Sequence, residues 1–419
     1  MSSLLPQQIT AIERFKKFKV GALFMDMGTG KTRTALELVN YNNVDLLIYI
    51  CPASATIKDN IQTEIDKWGV NCDYKIIGYE TIASSDRSYL ELLNYIENKK
   101  VFIIADESAF IKNEITIRFE RLFNLRKYCE YALILTGTPI TKNEWDLYNQ
   151  MYFLSPKIIG MNRQDFLNSF FKKVTYKKSY QREKHFYKFS DVNASALYKM
   201  IEPYIFNASL IFDKETIKNT VKILYKDDEY YEVKRECLER IKRSGNCNEN
   251  DIINMLTKLQ VVAACYDVKL DKLCEYVDGR RVIVFCSYLN EVKYIAEKIP
   301  CLVITGDTAQ GDRAGIIREF ESGNAPLVMT FGVGAHSLNL QACNEVVYSS
   351  ISFDYAKIEQ SEGRIRRVGQ QNDVKYTYFM CDLGINKMMI ENLQKKENLS
   401  YLVKEKIQKG EIEEWVKSL

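Results

Sequence analysis

Residues 20–33 read Val-Gly-Ala-Leu-Phe-Met-Asp-Met-Gly-Thr-Gly-Lys-Thr-Arg, which is an apolar run, a glycine-containing loop and the start of a helical pattern. This order of strand, loop and helix is the context that a phosphate-binding loop requires. Small residues in the loop let backbone N–H groups turn towards a polyphosphate, and the N-terminus of the following helix adds a favourable partial charge. The stretch therefore predicts an α/β fold and a nucleotide hydrolase.

The loop supplies the side chains that nucleotide chemistry needs. We expect Lys31 to reach the β- and γ-phosphates of ATP, and the Thr32 hydroxyl to coordinate Mg²⁺. The general pattern has a glycine where this chain has Met25, and an ordinary glycine turn before a helix is the alternative interpretation. The predicted nucleotide-binding residues are Met27, Gly28, Thr29, Gly30, Lys31 and Thr32.

Composition limits the class of protein. The 419 residues, 46% of them apolar, are enough for two or three domains of roughly 100 to 200 residues each, and we expect two. The net charge of +3 comes from 58 basic and 55 acidic residues. This balance is too even for the overall field to indicate nucleic-acid binding, so any such surface must be local.

Cysteine and histidine usage argues against a resident metal. The 11 cysteines are scattered without a CxxC pair and there are only 2 histidines, so we expect no structural zinc. The N-terminal sequence lacks the apolar core of a signal peptide, and no apolar run approaches the ~20 residues of a membrane span. We expect a cytoplasmic protein without a membrane partner. Its source is expected to be a bacterium or a phage, and a phage protein would act in the host cytoplasm.

Short apolar runs alternate with helical stretches in two parts of the chain, which indicates two doubly wound parallel sheets. The expected strands are 20–25, 46–51, 75–77, 101–105 and 132–135 in the first part, and 281–285, 302–305, 326–330, 345–348 and 374–380 in the second. The expected domains are 1–155, a helical elaboration and linker at 156–270, a second sheet domain at 271–400, and a C-terminal helix at 401–419.

Within the middle region, residues 162–189 combine eight basic residues, two acidic residues and many aromatic ones. Basic residues interleaved with aromatics are able to follow a nucleic-acid backbone. The alternative, which we favour at this point, is a helix pair with solvated lysines and aromatic packing.

Two carboxylates follow the strand at 101–105. Asp106 and Glu107 are therefore expected at the carboxyl edge of a parallel sheet, where such folds bind ligands. Asp106 suits a water-mediated contact with Mg²⁺, and Glu107 suits orientation and deprotonation of the attacking water. A solvated loop or a helix cap is the alternative for this pair taken alone.

Further polar residues follow later strands. Thr136 and Thr138 end a strand close to the expected γ-phosphate, although an ordinary strand-ending turn is the favoured interpretation for this stretch taken alone. Arg364 and Arg367 have the spacing of one helix face, and guanidinium groups aimed at a γ-phosphate stabilise the transition state. A solvated basic helix face is the alternative for these arginines.

Taken together and in this order, the motifs 28–32, 106–108, 136–139 and 360–370 resemble those of the superfamily-two helicases, and especially the Swi/Snf-type DNA translocases. The resemblance covers nearly the whole chain and implies two tandem RecA-like domains joined by a helical insertion. It also implies ATP and Mg²⁺ as cofactors, Gln8 as the adenine-reading residue, and a coupling role for Thr136, Thr138 and Gln360. Ala109 departs from the family, which usually has a histidine there.

The same resemblance implies contacts with nucleic acid. The residues that match the family's nucleic-acid motifs are Pro52, Tyr79, Gly306, Arg313, Gly334 and Asn339. We therefore expect an ATP-dependent motor that translocates on duplex DNA, with replication, repair or defence proteins as further partners. The alternatives are a helicase that unwinds DNA or RNA from a single strand, and a nucleic-acid-binding clamp without hydrolysis.

Overall fold

The computed structural model describes residues 3–52, 55–113, 116–140, 144–176, 184–190, 192–244, 249–334, 340–367, 369–395 and 399–419. The chain forms two compact units, Met1–Ile211 and Phe212–Leu419. The segment expected as a helical elaboration, 156–270, is thus divided between the two units at residue 211. Each unit has its own parallel sheet, which confirms the predicted α/β class.

The first unit contains a six-stranded sheet and a separate hairpin. Its strands are β1 (Val20–Met25), β2 (Leu46–Cys51), β3 (Asp73–Gly78), β4 (Val101–Asp106), β5 (Tyr131–Thr136), β6 (Phe171–Tyr176), β7 (Lys184–Phe189) and β8 (Ile205–Ala208). The sheet has the order β3-β2-β4-β5-β1-β8 and every pairing in it is parallel. The five strands predicted for this part are confirmed, with ends that differ by at most two residues.

Helices cover both faces of this sheet. They are α1 (Pro6–Phe15), α2 (Lys31–Asn42), α3 (Ala55–Trp68), α4 (Tyr79–Ser84), α5 (Asp86–Ile96), α6 (Ile117–Arg126), α7 (Trp145–Leu154), α8 (Arg163–Phe170) and α9 (Ala194–Ile201), with short 3-10 turns at Ser108–Ile111 and Glu202–Tyr204. Because both faces are covered, β2 is buried along its whole length. Leu46, Ile48 and Ile50 pack on one face, whereas Leu47 and Tyr49 pack on the other.

The expected helix pair at 162–189 is wrong. Among the described residues of this stretch, α8 is the only helix, and β6 and β7 form an antiparallel hairpin in which Lys172 lies opposite Lys188. The aromatic and β-branched residues of these two segments favour strands. Phe171 and Phe189 meet edge to face at the base of the hairpin, with ring centroids 5.5 Å apart. Both pack against the apolar core on the face of the sheet that carries Leu46, Ile48 and Ile50.

The second unit contains another parallel sheet, with the order β11-β12-β10-β13-β14-β9. Its strands are β9 (Thr216–Ile223), β10 (Ile283–Cys286), β11 (Leu302–Ile304), β12 (Leu327–Thr330), β13 (Glu345–Tyr348) and β14 (Val374–Cys381). Its helices are α10 (Glu229–Ser244), α11 (Glu249–Ala264), α12 (Asp267–Val277), α13 (Leu289–Lys298), α14 (Gln310–Ser322), α15 (Phe331–Gly334), α16 (Tyr355–Glu362), α17 (Gly384–Lys395), α18 (Leu399–Lys409) and α19 (Ile412–Ser418).

The second unit differs from expectation at its edge strand and at its C-terminal helices. The edge strand β9 is mostly exposed, so it lacks the continuous apolar run by which the other strands were predicted. The expected single C-terminal helix is wrong, because α18 ends before Gly410, whose φ of 72° lies in the left-handed region. Across the described part of the chain, no helix combines the length and apolarity that crossing a membrane requires.

Candidate nucleotide-binding site

The predicted phosphate-binding loop joins β1 to α2. Gly28 and Gly30 have φ values of 78° and 87°, a left-handed conformation that glycine adopts without steric cost. A Cβ atom placed on Gly30 would lie 2.2 Å from the Gln8 amide nitrogen. The loop therefore needs glycine at position 30 for both its backbone conformation and its contact with α1.

Lys31, the first residue of α2, turns back towards the end of β1. Its ammonium group donates to the main-chain carbonyl of Met25 at 2.6 Å and to that of Asp26 at 3.1 Å. The Met25 side chain is fully buried in the core between the sheet and α2. Methionine is therefore accommodated where the general pattern has glycine, because the loop uses only the carbonyl of this residue.

Gln8 connects α1 to the loop. Its side-chain oxygen accepts a hydrogen bond from the Leu5 backbone at 2.8 Å, and its amide nitrogen donates to the Gly30 carbonyl at 3.1 Å. The residue is 2% exposed. The structure thus places the residue predicted to read adenine against the phosphate-binding loop, while contact with the base stays a prediction.

Asp106 ends β4 and its carboxylate is held by two donors. The Tyr49 hydroxyl donates to Oδ2 at 2.8 Å, and the Glu107 backbone N–H donates to Oδ1 at 2.9 Å. Burial raises the pKa of the Asp106 carboxyl group, against the opposing effects of the Tyr49 hydrogen bond and the Lys31 charge. The Tyr79 hydroxyl also donates to the Asp106 main-chain carbonyl at 2.8 Å.

Glu107 has an unusual backbone for its residue type. Its φ of 53° and ψ of 57° lie in the left-handed region, which costs an L-residue about 1–2 kcal/mol. Backbone strain of this kind is concentrated at functional sites, where the surrounding structure maintains it. The residue predicted to activate water is therefore held in a conformation that its side chain does not favour.

The turn after β5 lies beside the loop. A Cβ atom placed on Gly137 would be 3.8 Å from the Lys31 ammonium nitrogen and 3.5 Å from the Met25 carbonyl oxygen. The fully buried Thr136 accepts a hydrogen bond from the Thr138 backbone at 3.0 Å. The structure thus places both predicted coupling threonines in one turn, next to the lysine that is expected to bind phosphate.

A glutamine that the sequence analysis did not identify connects the acidic motif to this turn. Gln150 on α7 is fully buried; it accepts from the Ser108 hydroxyl at 2.6 Å and donates to the Pro139 carbonyl at 2.7 Å. One amide side chain therefore holds the segments after β4 and β5 together. The signal available in the sequence was a glutamine within the largely apolar stretch that forms α7.

The residues present fit Mg²⁺ bound together with a nucleotide. The described residues contain no group of three or more His, Cys, Asp or Glu side chains able to hold a metal ion. Mg²⁺ in nucleotide sites is usually held by one or two protein oxygens, substrate phosphates and water. The Thr32 hydroxyl supplies one such oxygen, and the Asp106 carboxylate, held by Tyr49, is expected to bind the ion through water.

The predicted arginines of the second unit lie in turns, because α16 ends at Glu362. Their expected position on one helix face is therefore wrong. Arg364 is 4% exposed, and Arg367 Nε donates to the Gly363 carbonyl at 2.8 Å. Gln360, on the last turn of α16, is 9% exposed.

The residues predicted to contact nucleic acid have different surroundings. Gly306 is exposed after β11, and Arg313 donates to the Thr308 and Thr305 carbonyls at 3.1 and 3.3 Å. Pro52 is buried directly after β2, and Gly334 ends α15. Asn339 lies outside the described residues.

Tyr79 is 0% exposed, and its hydroxyl is used on Asp106. A direct contact between this ring and nucleic acid is therefore incompatible with the structure.

Comparison with known proteins identifies the family. A model of the SNF2-related domain matches residues 53–266, and a model of the helicase conserved C-terminal domain matches residues 268–369. An uncharacterized ATP-dependent helicase of Mycoplasma genitalium, MG018, is 23% identical over 90% of this chain and 40% of its own length. The human DNA annealing helicase and endonuclease ZRANB3 is 22% identical over 93% of this chain and 40% of its own length.

Among solved structures, the SWI2/SNF2 ATPase core of Sulfolobus solfataricus in complex with dsDNA is 20% identical, with a TM-score of 0.42 over 98% of this chain and 94% of that chain. The chain spans about 40% of the length of the two curated relatives named above. The SNF2-related model alone matches more than half of the chain. The chain therefore belongs to the SNF2-related family of ATP-dependent, helicase-type enzymes.

Proposed function

We propose that this chain is an ATP-driven motor that hydrolyses ATP and translocates on double-stranded DNA. The observation that carries the ATPase assignment is the order of three adjacent parallel strands, β4, β5 and β1, which end at Asp106, Thr136 and Met25. Their carboxyl ends place the acidic pair, the threonine turn and the phosphate-binding loop at one edge of the sheet. Ligands bind at this edge in open α/β sheets.

The side chains have distinct roles in this proposal. Lys31 and the loop amides bind the phosphates, while Thr32 and Asp106 would hold Mg²⁺, which neutralises developing charge on the phosphate oxygens. Glu107 takes a proton from the attacking water. Positioning and charge stabilisation, rather than covalent chemistry, supply most of the catalysis in phosphoryl transfer.

The second unit completes the proposed motor. Arg364 and Arg367 stabilise the γ-phosphate in the transition state, and Gln360 couples this event to movement of the nucleic acid. Repeated cycles of ATP binding and hydrolysis would then advance the chain along the duplex. Phosphate contacts dominate such binding, so we expect strong salt dependence and little sequence preference.

Duplex DNA is the favoured track because the human relative is named a DNA annealing helicase, and because the family resemblance is closest to the DNA translocases. ZRANB3 is much longer than this chain, so we do not propose that this chain has all of its activities. Unwinding from a single strand is the second candidate, because it uses the same ATPase residues. The thiols of the described cysteines are largely buried, which suits the proposed action in a reducing cytoplasm.

The first test measures ATP hydrolysis by the purified chain without nucleic acid and with blunt duplex DNA, single-stranded DNA or RNA. Lys31→Ala is the inactive control, and Lys157→Ala, at an exposed lysine after α7, is the matched control for loss of a positive charge. We expect the largest stimulation with blunt duplex, its loss in Lys31→Ala, and unchanged turnover in Lys157→Ala.

Translocation is then separated from unwinding with two DNA substrates. A third strand bound in the major groove of a duplex is displaced by a motor that moves along the duplex, whereas a forked duplex is opened only by an unwinding enzyme. We expect displacement of the third strand without opening of the fork. Fork opening with stimulation by single strands alone would favour the second candidate, and absence of Lys31-dependent turnover on every substrate would contradict the motor.

A further inference from the structure

Tyr49 is a polar residue in a strand where apolar residues are expected. It lies in β2, which pairs with β3 on one side and β4 on the other, and it is 0% exposed. Strands buried on both faces of a parallel sheet are usually continuous runs of Val, Ile and Leu. A phenol hydroxyl at such a position is costly unless it is hydrogen-bonded, so its contacts explain its presence.

The sheet geometry directs Tyr49 towards the candidate metal site. Tyr49 is the register partner of Ile104 in β4, and Asp106 lies two residues further along that strand, on the same face. This is the face that packs against α2, the helix that begins at Lys31 and includes Thr32. Tyr49 therefore lies between the two elements that carry the predicted magnesium ligands.

The Tyr49 hydroxyl contacts one of these residues directly. It donates a hydrogen bond of 2.8 Å to Asp106 Oδ2. The Glu107 backbone N–H holds the other carboxylate oxygen, Oδ1, at 2.9 Å. Two donors on different oxygens fix the plane of the carboxylate.

We propose that Tyr49 is a positioning residue for the magnesium site. Its hydroxyl sets the orientation of the Asp106 carboxylate before nucleotide and metal bind. The inference rests on the proposed ATPase function and adds to it a residue outside the recognised motifs. Removal of an outer hydrogen-bond partner of a metal ligand typically lowers metal affinity about 10- to 100-fold.

The variant Tyr49→Phe keeps the buried ring and removes only the hydroxyl. Binding of Mn²⁺, used as a paramagnetic probe for the Mg²⁺ site, is measured with the full chain and a non-hydrolysable ATP analogue. We expect metal affinity to fall about 10- to 100-fold, with a parallel rise in the Mg²⁺ concentration needed for half-maximal hydrolysis. Binding of the analogue without metal should be unchanged.

Tyr230→Phe is the matched control in the second unit. Tyr230 is also 0% exposed, and its hydroxyl donates to the Leu419 carbonyl at 2.8 Å. This variant loses a buried tyrosine hydrogen bond of the same kind, so it should lose stability and retain wild-type metal affinity. Tyr49→Met, which is apolar and flexible, serves as a second variant and should reproduce the metal defect of Tyr49→Phe.

The outcomes separate this inference from the proposed function. Wild-type Mn²⁺ affinity in Tyr49→Phe, with or without a lower melting temperature, would assign Tyr49 a packing role and overturn the inference. If the wild-type chain itself binds no metal with the nucleotide analogue, the proposed ATPase function fails first, and the positioning role fails with it.

Discussion

The Tyr79 hydroxyl donates a hydrogen bond of 2.8 Å to the main-chain carbonyl of Asp106, directly before Glu107. The Tyr79 ring stacks on Phe110, with centroids 5.4 Å apart and planes at 5°. The Phe110 backbone N–H donates to the Glu107 carbonyl at 3.0 Å. A single aromatic pair, the fully buried Tyr79 and the partly buried Phe110, therefore stabilises the backbone on both sides of Glu107.

Tyr79→Phe is expected to destabilise the first unit. The variant removes the donor and leaves the Asp106 carbonyl without this partner, which costs about 1–3 kcal/mol. Urea unfolding of the full chain, followed by tryptophan fluorescence, measures the loss. Tyr128→Phe, at a tyrosine that is 65% exposed, is the control and should leave the unfolding curve unchanged. Equal curves for both variants would show that the hydrogen bond contributes no stability.

The left-handed backbone of Glu107 predicts that two variants at this position differ in stability although both lose activity. Glu107→Gly should be more stable than Glu107→Ala by about 1 kcal/mol, because glycine adopts this conformation without cost, and both should lose ATP hydrolysis. At Glu120, inside α6, the order should reverse because glycine weakens a helix. Urea unfolding of the four variants measures the difference in stability between glycine and alanine at each position. An alanine variant as stable as the glycine variant at position 107 would exclude backbone strain there.

The proposed role of the arginines predicts a loss of turnover without loss of nucleotide binding. Arg364→Ala and Arg367→Ala should each lower turnover, up to the roughly 10³- to 10⁵-fold range of arginine fingers. Binding of a fluorescent ATP analogue should stay near wild type. Arg318→Ala, at an exposed arginine on α14, is the control for charge. Parallel loss of binding and turnover would indicate a structural role instead.

The β6–β7 hairpin offers a direct test of nucleic-acid contact. Lys172 and Lys188 are exposed and lie opposite each other, and like charges at opposite positions disfavour strand pairing. A two-stranded ribbon also fits the major groove of DNA. If both lysines contact phosphates, the Lys172→Gln, Lys188→Gln double variant should reduce the slope of log affinity against log salt by about 2.

Lys157→Gln combined with Lys199→Gln removes two exposed lysines from the same unit and should leave this slope unchanged. An unchanged slope in the hairpin variant, with a higher melting temperature from relief of repulsion, would identify the hairpin as a structural element only.

The second unit contains a buried ion pair whose loss should be costly. Lys269 and Glu291 are 1% and 0% exposed, their charged atoms are 3.6 Å apart, and Lys269 donates to the Ser349 carbonyl at 2.7 Å. Lys269→Met should destabilise the chain by about 3–5 kcal/mol, because Glu291 would keep a buried charge without its partner. Lys298→Met breaks the exposed pair with Asp271 and should have no measurable effect on urea unfolding. Equal losses of stability in Lys269→Met and Lys298→Met would contradict the expectation that burial makes the loss of an ion pair costly.

Much of the site could be predicted because its residues are contiguous. The loop at 28–32 and the acidic pair at 106–107 each follow a fully apolar strand, and carboxyl ends of parallel strands meet at one edge of a sheet. The strands themselves could be predicted because burial on both faces demands continuous apolar runs. By contrast, β9 was missed because an exposed edge strand is under no such demand.

The sequence by itself determined the two parallel sheets, the phosphate-binding loop and the acidic motif, since each depends on local order and on periodicity. Only the tertiary structure decided that Tyr49 contacts Asp106, that Gln150 joins the segments after β4 and β5, and that the arginines follow α16. Such contacts join residues far apart in the chain. They depend on strand order and register, which local sequence patterns do not encode.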